Sequence, residues 1–334
     1  MLNGKRMVAV LLALLLSVTT LASCTDKGED GGEGSVATYT VTFDSNGGSA
    51  VEPMQVTAGS LCGEPEVPTR EGYIFGGWTY NNNLTWYFDS ETVREDVTLK
   101  ASWIAAESVF AYERAEDGTA VITELKTQRM TIHVPSVIGG YTVSTIGPEV
   151  FTGVTTEEVS EIILPESVTR IGDGAFEAVA EIDIIVEGAL TEIGERAFFD
   201  CDRLTEITLG EGLTRIAADA FSGCVSLKNL SLPKSVSVIE ENAFEGCTGL
   251  QTVILHSDIT AVEDSAFDDC DDLMTLYFYG EETAVDALLE ENTAPMNDPF
   301  LDAKIYLYSE SEPAKETVYD GYWYLEDNSR LRVW

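Results

Sequence analysis

Histidine is almost missing: His133 and His256 are the only two in 334 residues. They fall in distant segments, so no Ser/His/Asp or Cys/His triad can be nominated around either. There is also no G-x-G-x-x-G loop, no P-loop lysine motif and no H-E-x-x-H pair, which removes the nucleotide and zinc-protease chemistries those motifs serve. Positive charge is scarce as well. Nineteen Lys and Arg against 58 Asp and Glu leave a net charge of −39. Nucleic-acid binding depends on basic side chains that neutralise phosphates, so it is excluded, as is electrostatic docking on anionic lipid heads. The surface so charged is a solvated one. Long hydrophobic runs are lacking too. The longest, Met7 to Leu16, is ten residues, too short to cross a ~30 Å hydrocarbon core comfortably as a helix. With Lys5 and Arg6 before it, the run has the form of a secretory signal peptide.

The leader ends in Leu21-Ala22-Ser23-Cys24. This resembles the lipobox of bacterial lipoproteins, and the resemblance implies that Cys24 is the lipidated first residue of the mature chain. Loss of Lys5 and Arg6 with the leader then takes the net charge from −39 to −41. Each buried acyl methylene contributes ~0.8 kcal/mol to holding such a protein on a membrane. The following residues, Thr25 to Ala37, contain no apolar side chain before Val36 and are rich in glycine. They read as a flexible tether.

From Thr38 the pattern alternates. Tyr39, Val41 and Phe43 interleave with threonines as in a half-buried strand, and Asn46-Gly47-Gly48 supplies a turn. Pro68-Thr69-Arg70-Glu71-Gly72-Tyr73-Ile74-Phe75-Gly76-Gly77-Trp78, Trp86-Tyr87-Phe88-Asp89 and Leu99-Lys100-Ala101-Ser102-Trp103 follow. Together these segments resemble the Listeria–Bacteroides repeat, the B-repeat of internalins, which implies a small β-grasp-like domain serving as a spacer or weak binding module. A domain this small buries only ~60 % of its unfolded surface. Phe43, Phe75, Trp78, Trp86 and Trp103 are therefore expected in its core, where large rings bury the most area. Cys62 is expected to be a lone thiol.

The main signal is a period. Phe151, Phe176, Phe198, Phe221, Phe244 and Phe267 are separated by 25, 22, 23, 23 and 23 residues. Eight positions before each stand Val143, Val168, Leu190, Leu213, Val236 and Ile259; five before stand Ile146, Ile171, Ile193, Ile216, Ile239 and Val262. Cys201, Cys224, Cys247 and Cys270 follow the last four by three, with Val154 and Val179 in the first two copies. Then comes Leu-x-x-(Ile/Leu/Val)-x-(Leu/Phe), as in Leu204 to Leu209 and Leu250 to Leu255. One such coil cannot bury its own apolar stripe, whereas stacked coils share a continuous core. The unit resembles the BspA-like leucine-rich repeat of bacterial surface proteins, with parallel strands stacked ~4.8 Å apart. Two residues are inserted after Phe151, and the strand around Ile182 to Val186 is one residue out of register. Single cysteines at this interval form a line and not a tetrahedral zinc site, and stacked parallel side chains do not face one another for a disulfide. They are expected as buried free thiols.

The reading is a mainly β chain: leader 1–23, tether 24–37, β-grasp-like domain 38–104, N-terminal cap hairpin 105–142, six repeats 143–280 and C-terminal cap 281–334. In the cap, Val285, Leu288 and Leu289 share one helix face, and Tyr322-Trp323-Tyr324 with Trp334 supply bulky cover. No cofactor or metal is implied. Asp268, Asp269, Asp271 and Asp272 lack the glycine-spaced EF-hand loop and read as an exposed acidic turn.

The outward strand positions are Glu206 and Thr208, Asn229 and Ser231, then Thr252, Ile254 and His256, then Thr275, Tyr277 and Tyr279. Tyrosine is enriched among binding hot spots, so Ile254, His256, Tyr277 and Tyr279 are the expected contact for a protein or glycan outside the cell. The competing reading is that the C-terminal cap covers them. The functional expectation is a lipid-anchored cell-surface protein that binds or adheres through its repeat surface, with the membrane reached only through its lipid. A passive envelope stalk and a carboxylate-based glycan hydrolase are the alternatives; the latter requires a cleft that positions paired carboxylates.

Overall fold

The computed structural model describes residues 37–81, 83–127, 131–156, 159–291, 298–309, 319–326 and 330–333. The leader, Cys24, the tether up to Val36 and Trp334 lie outside them.

The first sheet has five strands in the order Met54–Thr57, Thr38–Asp44, Val97–Ala105, Tyr73–Tyr80 and Leu84–Thr85. Thr38–Asp44 runs antiparallel to the first of these and parallel to Val97–Ala105. Its alternation places Val41 and Phe43 inward, with Thr40 and Thr42 on the other face. Phe43 meets Trp78 edge to face at 5.0 Å, and Tyr80 meets Trp86 likewise at 5.2 Å. Phe43, Trp78 and Trp86 are buried as expected, whereas Phe75 and Trp103 are only half-buried at the margin of the core. The reason is a register shift between Phe75 and Trp78, made by Gly76 and a left-handed Gly77 (φ 97°). The extra residue turns Ile74 towards the neighbouring repeat core and leaves Trp78 in its own. No spacer separates the two bodies: Val97–Ala105 passes directly into the turn Ala106–Val109 and the hairpin strand Phe110–Arg114.

That strand pairs antiparallel with Ala120–Leu125, which pairs parallel with Tyr141–Ile146. The hairpin turn is pinned by Asp117, which accepts hydrogen bonds from the Thr119 amide and hydroxyl and from Arg170. Beyond it the chain winds in coils. A typical coil contributes a two-residue strand on one side, such as Val238–Ile239, and a longer one on the other, such as Thr252–His256. Between them lies a corner that holds the phenylalanine. Successive rings stack at centroid distances of 4.8, 5.2, 5.3, 5.4 and 5.2 Å. This is close to the coil spacing, so the repeat holds the rings near parallel in place of the edge contacts seen in the first domain. A seventh ring, Phe300 from the cap helix Asp298–Asp302, closes the column at 5.1 Å from Phe267.

The corner is a turn with two left-handed residues, one on each side of the phenylalanine. Two positions before it stand Glu149, Gly174, Arg196, Asp219, Asn242 and Ser265; two positions after it stand Gly153, Ala178, Asp200, Gly223, Gly246 and Asp269, and all have positive φ. Glycine, asparagine and aspartate tolerate that region best, which accounts for most of these identities. The conformation turns each Phe amide towards the next coil. Phe151, Phe176, Phe198, Phe221 and Phe244 donate to the carbonyls of Ala175, Ala197, Ala220, Ala243 and Ala266 at 2.8–2.9 Å.

Candidate functional site

The longer strands form the flank on which the candidate contact residues lie. Asn229–Ser231, Thr252–His256, Thr275–Tyr279, Lys304–Tyr308 and Gly321–Glu326 run parallel, and Arg330–Val333 closes the edge antiparallel. Period-two alternation turns Val253, Leu255, Leu276, Phe278, Ile305 and Leu307 into the core. The intervening residues then form two outward rows. One runs Ser231, Ile254, Tyr277, Tyr306, and the other runs His256, Tyr279, Tyr308. The structure thus brings Ile254, His256, Tyr277 and Tyr279 together on one surface. His256 stacks flat on Tyr279 at 4.6 Å, and Tyr277 on Tyr306 at 5.7 Å.

The cap covers this surface in part. Trp323 leans back across both rows and meets Tyr277 at 5.3 Å, Tyr279 at 4.5 Å and Tyr308 at 5.1 Å, with its indole N–H donating to the Phe278 carbonyl. It is fully buried, while Tyr277, Tyr279, Tyr306 and Tyr308 keep an accessible edge. Gly321 sits opposite Tyr306 in the next strand and keeps that row free of a further side chain. Burial pushes the Tyr277 and Tyr279 hydroxyls up and the His256 imidazole down from their ordinary values. Tyr306 and Tyr308 were not among the expected contacts. Their signal was present in the alternation of Lys304 to Tyr308, which continues the phase of Thr275 to Tyr279.

The repeat signature matches the BspA type leucine rich repeat region family in six copies, over residues 131–209 and 181–287. Residues 39–102 match the Listeria-Bacteroides repeat domain. The chain carries a BspA-type leucine-rich repeat region and a Listeria–Bacteroides repeat domain. Among solved structures, it is similar to the leucine-rich repeat protein of T. pallidum, with 31% identity, 51% of this chain and 79% of that chain covered and a TM-score of 0.47. It is also similar to the pneumococcal vaccine antigen PcpA, with 18% identity, 60% and 43% covered and a TM-score of 0.34. Two curated proteins of Evansella cellulosilytica, provisionally named a Gly-rich membrane protein and a membrane protein, are 38% identical over 92 residues. That stretch is 27% of this chain but only 10% and 14% of theirs.

In the BspA-type repeats the cysteine column is internal. Cys201, Cys224, Cys247 and Cys270 are free and buried. Their thiols donate to the carbonyls of Phe176, Phe198, Phe221 and Phe244 in the preceding coil at 3.1–3.2 Å. Burial pushes all four thiols far above their ordinary value, so the thiolate needed for metal binding or nucleophilic attack is suppressed. Cys62 is likewise free and buried, against Met54. His133 lies on Thr131–His133, in a different sheet from His256. Among the described residues no helix is long and apolar enough to cross a membrane.

The strand flank is not continuous. The sequence pattern predicts a strand at Leu204 to Leu209, yet this segment forms only a single bridge, between Leu209 and Leu190. The strand Asp183–Val186 stays in register with Glu161–Leu164 but is shortened at its corner, with one residue between Ile182 and Ile184 where other coils have two. The following coil is displaced. Glu187 N–H donates to Leu164, whereas Gly210, at the equivalent place, donates to Leu190 and not to Val186.

Proposed function

We propose that the chain is a lipid-anchored cell-surface protein that binds an extracellular protein or glycan through the flank of its leucine-rich repeats. The observation that carries this reading is the pair of outward rows, in which Ile254, Tyr277 and Tyr306 lie beside His256, Tyr279 and Tyr308. Trp323 packs against Tyr277, Tyr279 and Tyr308, so their rotamers are held before a partner arrives. Rigid aromatic side chains lose little entropy on binding and bury much area, which suits a hot spot. The rigid repeat scaffold holds them on a surface that further coils extend. Anchoring through lipid at Cys24, and the extracytoplasmic location that follows, are supported by the leader sequence and by the membrane-protein names of two relatives.

The test is an overlay of the full chain on arrays of extracellular proteins and glycans, followed by the same measurement with Tyr277→Ser and Tyr279→Ser together. Binding that falls at least roughly thirtyfold, as expected for a hot spot of more than ~2 kcal/mol, with the circular-dichroism spectrum unchanged, supports the reading. Binding indifferent to both tyrosines defeats it. The anchor is checked separately: radiolabelled palmitate is expected to enter the wild-type chain and not Cys24→Ala.

A further inference from the structure

The displaced coil leaves an opening in the flank. Among the described residues no backbone hydrogen bond joins Glu206–Leu209 to Asn229–Leu232, although the next pair of coils is joined in register from Asn229 with Thr252 to Ser231 with Ile254. Ile207 and Leu209 occupy core positions and pack against the core but are only partly buried, whereas Leu230, Leu232, Val253 and Leu255 at the same positions are buried. Between the two coils lies a cavity of about 320 Å³, lined by Ile207, Leu209, Ser231, Leu232, Pro233 and His256.

We propose that this opening receives an extended peptide of a partner protein, with an aliphatic side chain in the cavity and a basic residue at its mouth. The inference rests on the reading of the chain as a partner-binding protein and assigns a second contact beside the tyrosine rows. Three features select the occupant. Peptide groups on two facing edges are unpaired with one another, and main-chain pairing with an added strand is the usual way such edges are satisfied. Ile207, Leu209, Leu232 and Pro233 give the cavity an aliphatic patch for an apolar side chain, beside the polar Thr208, Glu211, Ser231 and His256. Around His256, Glu211 and Asp258 oppose the single charge of Lys234, so the mouth is acidic, as is the whole chain at −39.

The test uses the full chain with labelled Ile and Leu methyl groups and backbone amides, titrated with the peptide acetyl-Lys-Val-Leu-Val-Lys-amide. The methyl resonances of Ile207 and Leu209 and the amide of Ser231 are expected to shift saturably. An analogue N-methylated at its leucine, and one with glutamate in place of both lysines, are each expected to bind roughly tenfold more weakly, a hydrogen bond or charge contact being of that order. Thr208→Trp, at an exposed position beside the opening, is expected to abolish the shifts with the melting temperature unchanged. Equal binding of the N-methylated or glutamate analogue overturns the assignment. So do shifts that survive Thr208→Trp, or a response of these resonances to chitotriose in place of the peptide. Tyr277→Ser with Tyr279→Ser is expected to leave these shifts intact. Failure at the opening with intact tyrosine-dependent binding therefore refutes this inference alone, and the reverse refutes only the tyrosine reading.

Discussion

The phenylalanine corner and the strand flank belong to the same coils, yet they respond differently to the same irregularity. Across the 22-residue interval from Phe176 to Phe198 the rings still stack at 5.2 Å and Phe176 still donates to Ala197. On the flank the same interval ends a ladder, and Ile207 and Leu209 in the next coil are only partly buried. The difference lies in what sets each register. The corner is a local turn with two left-handed residues, and it rebuilds itself in every coil from its own sequence. The flank is a pleated ladder of period two, in which a one-residue offset turns core side chains to the other face. The missing residue between Ile182 and Ile184 falls on the flank side.

Truncation sharpens this contrast most. Phe221→Ala removes a buried ring packed on both faces and is expected to cost about 3–5 kcal/mol in urea denaturation. Leu230→Ala on the closed flank is expected to cost about 2–5 kcal/mol, and Ile207→Ala on the open flank less than about 1.5 kcal/mol. Equal costs at Leu230 and Ile207 would mean that the flank is closed in solution. A second measurement repairs the coil. One asparagine inserted between Ile182 and Asp183 restores the common corner length and is expected to slow amide exchange at Ile207 and Leu209 by about tenfold or more. Unchanged exchange would place the cause in Gly210-Glu211-Gly212, where two other coils carry Pro165-Glu166-Ser167 and Pro233-Lys234-Ser235.

Smaller effects probe the corner and the cap. Ala178 holds φ 58° without the tolerance of glycine, so Ala178→Gly is expected to stabilise by about 0.5–1 kcal/mol, read from the denaturation midpoint. A loss of stability would show that the left-handed column carries no strain there. At the N-terminal cap, hydrogen bonds from Thr119 and then Arg170 hold the Asp117 carboxyl down at about 2. Its folded value lies below its unfolded one, so its contribution is complete above the ordinary carboxylate range and fades as pH falls towards 2. Arg170→Ala is expected to raise that titration, followed by carboxyl NMR; an unmoved Asp117 would dissociate it from the arginine.

Much of the fold was legible because each repeat restates it. Six copies agreeing at the positions of Phe198, Ile193, Leu190 and Cys201 identify core columns without any knowledge of the turns between them. The left-handed pair was less visible, since Arg196 and Ala178 occupy positions that glycine, asparagine or aspartate would have announced. Phe300 was hidden because it reaches the ring column from outside the period. Of the candidate site, Ile254, His256, Tyr277 and Tyr279 followed from alternation alone, whereas Tyr306 and Tyr308 belong to the cap and join the rows only by pairing.

Composition and period by themselves determined an acidic, mainly β chain with stacked coils, a buried thiol column and tyrosines on the outer flank of the last repeats. These follow from side-chain chemistry and from spacing within single coils. Only the tertiary structure decided that Trp323 lies across those tyrosines, that Ile74 joins the first domain to the repeat core, and that the flank opens at Ile207. Each of these depends on how separate coils or domains pair, and that choice is made between backbones far apart along the chain.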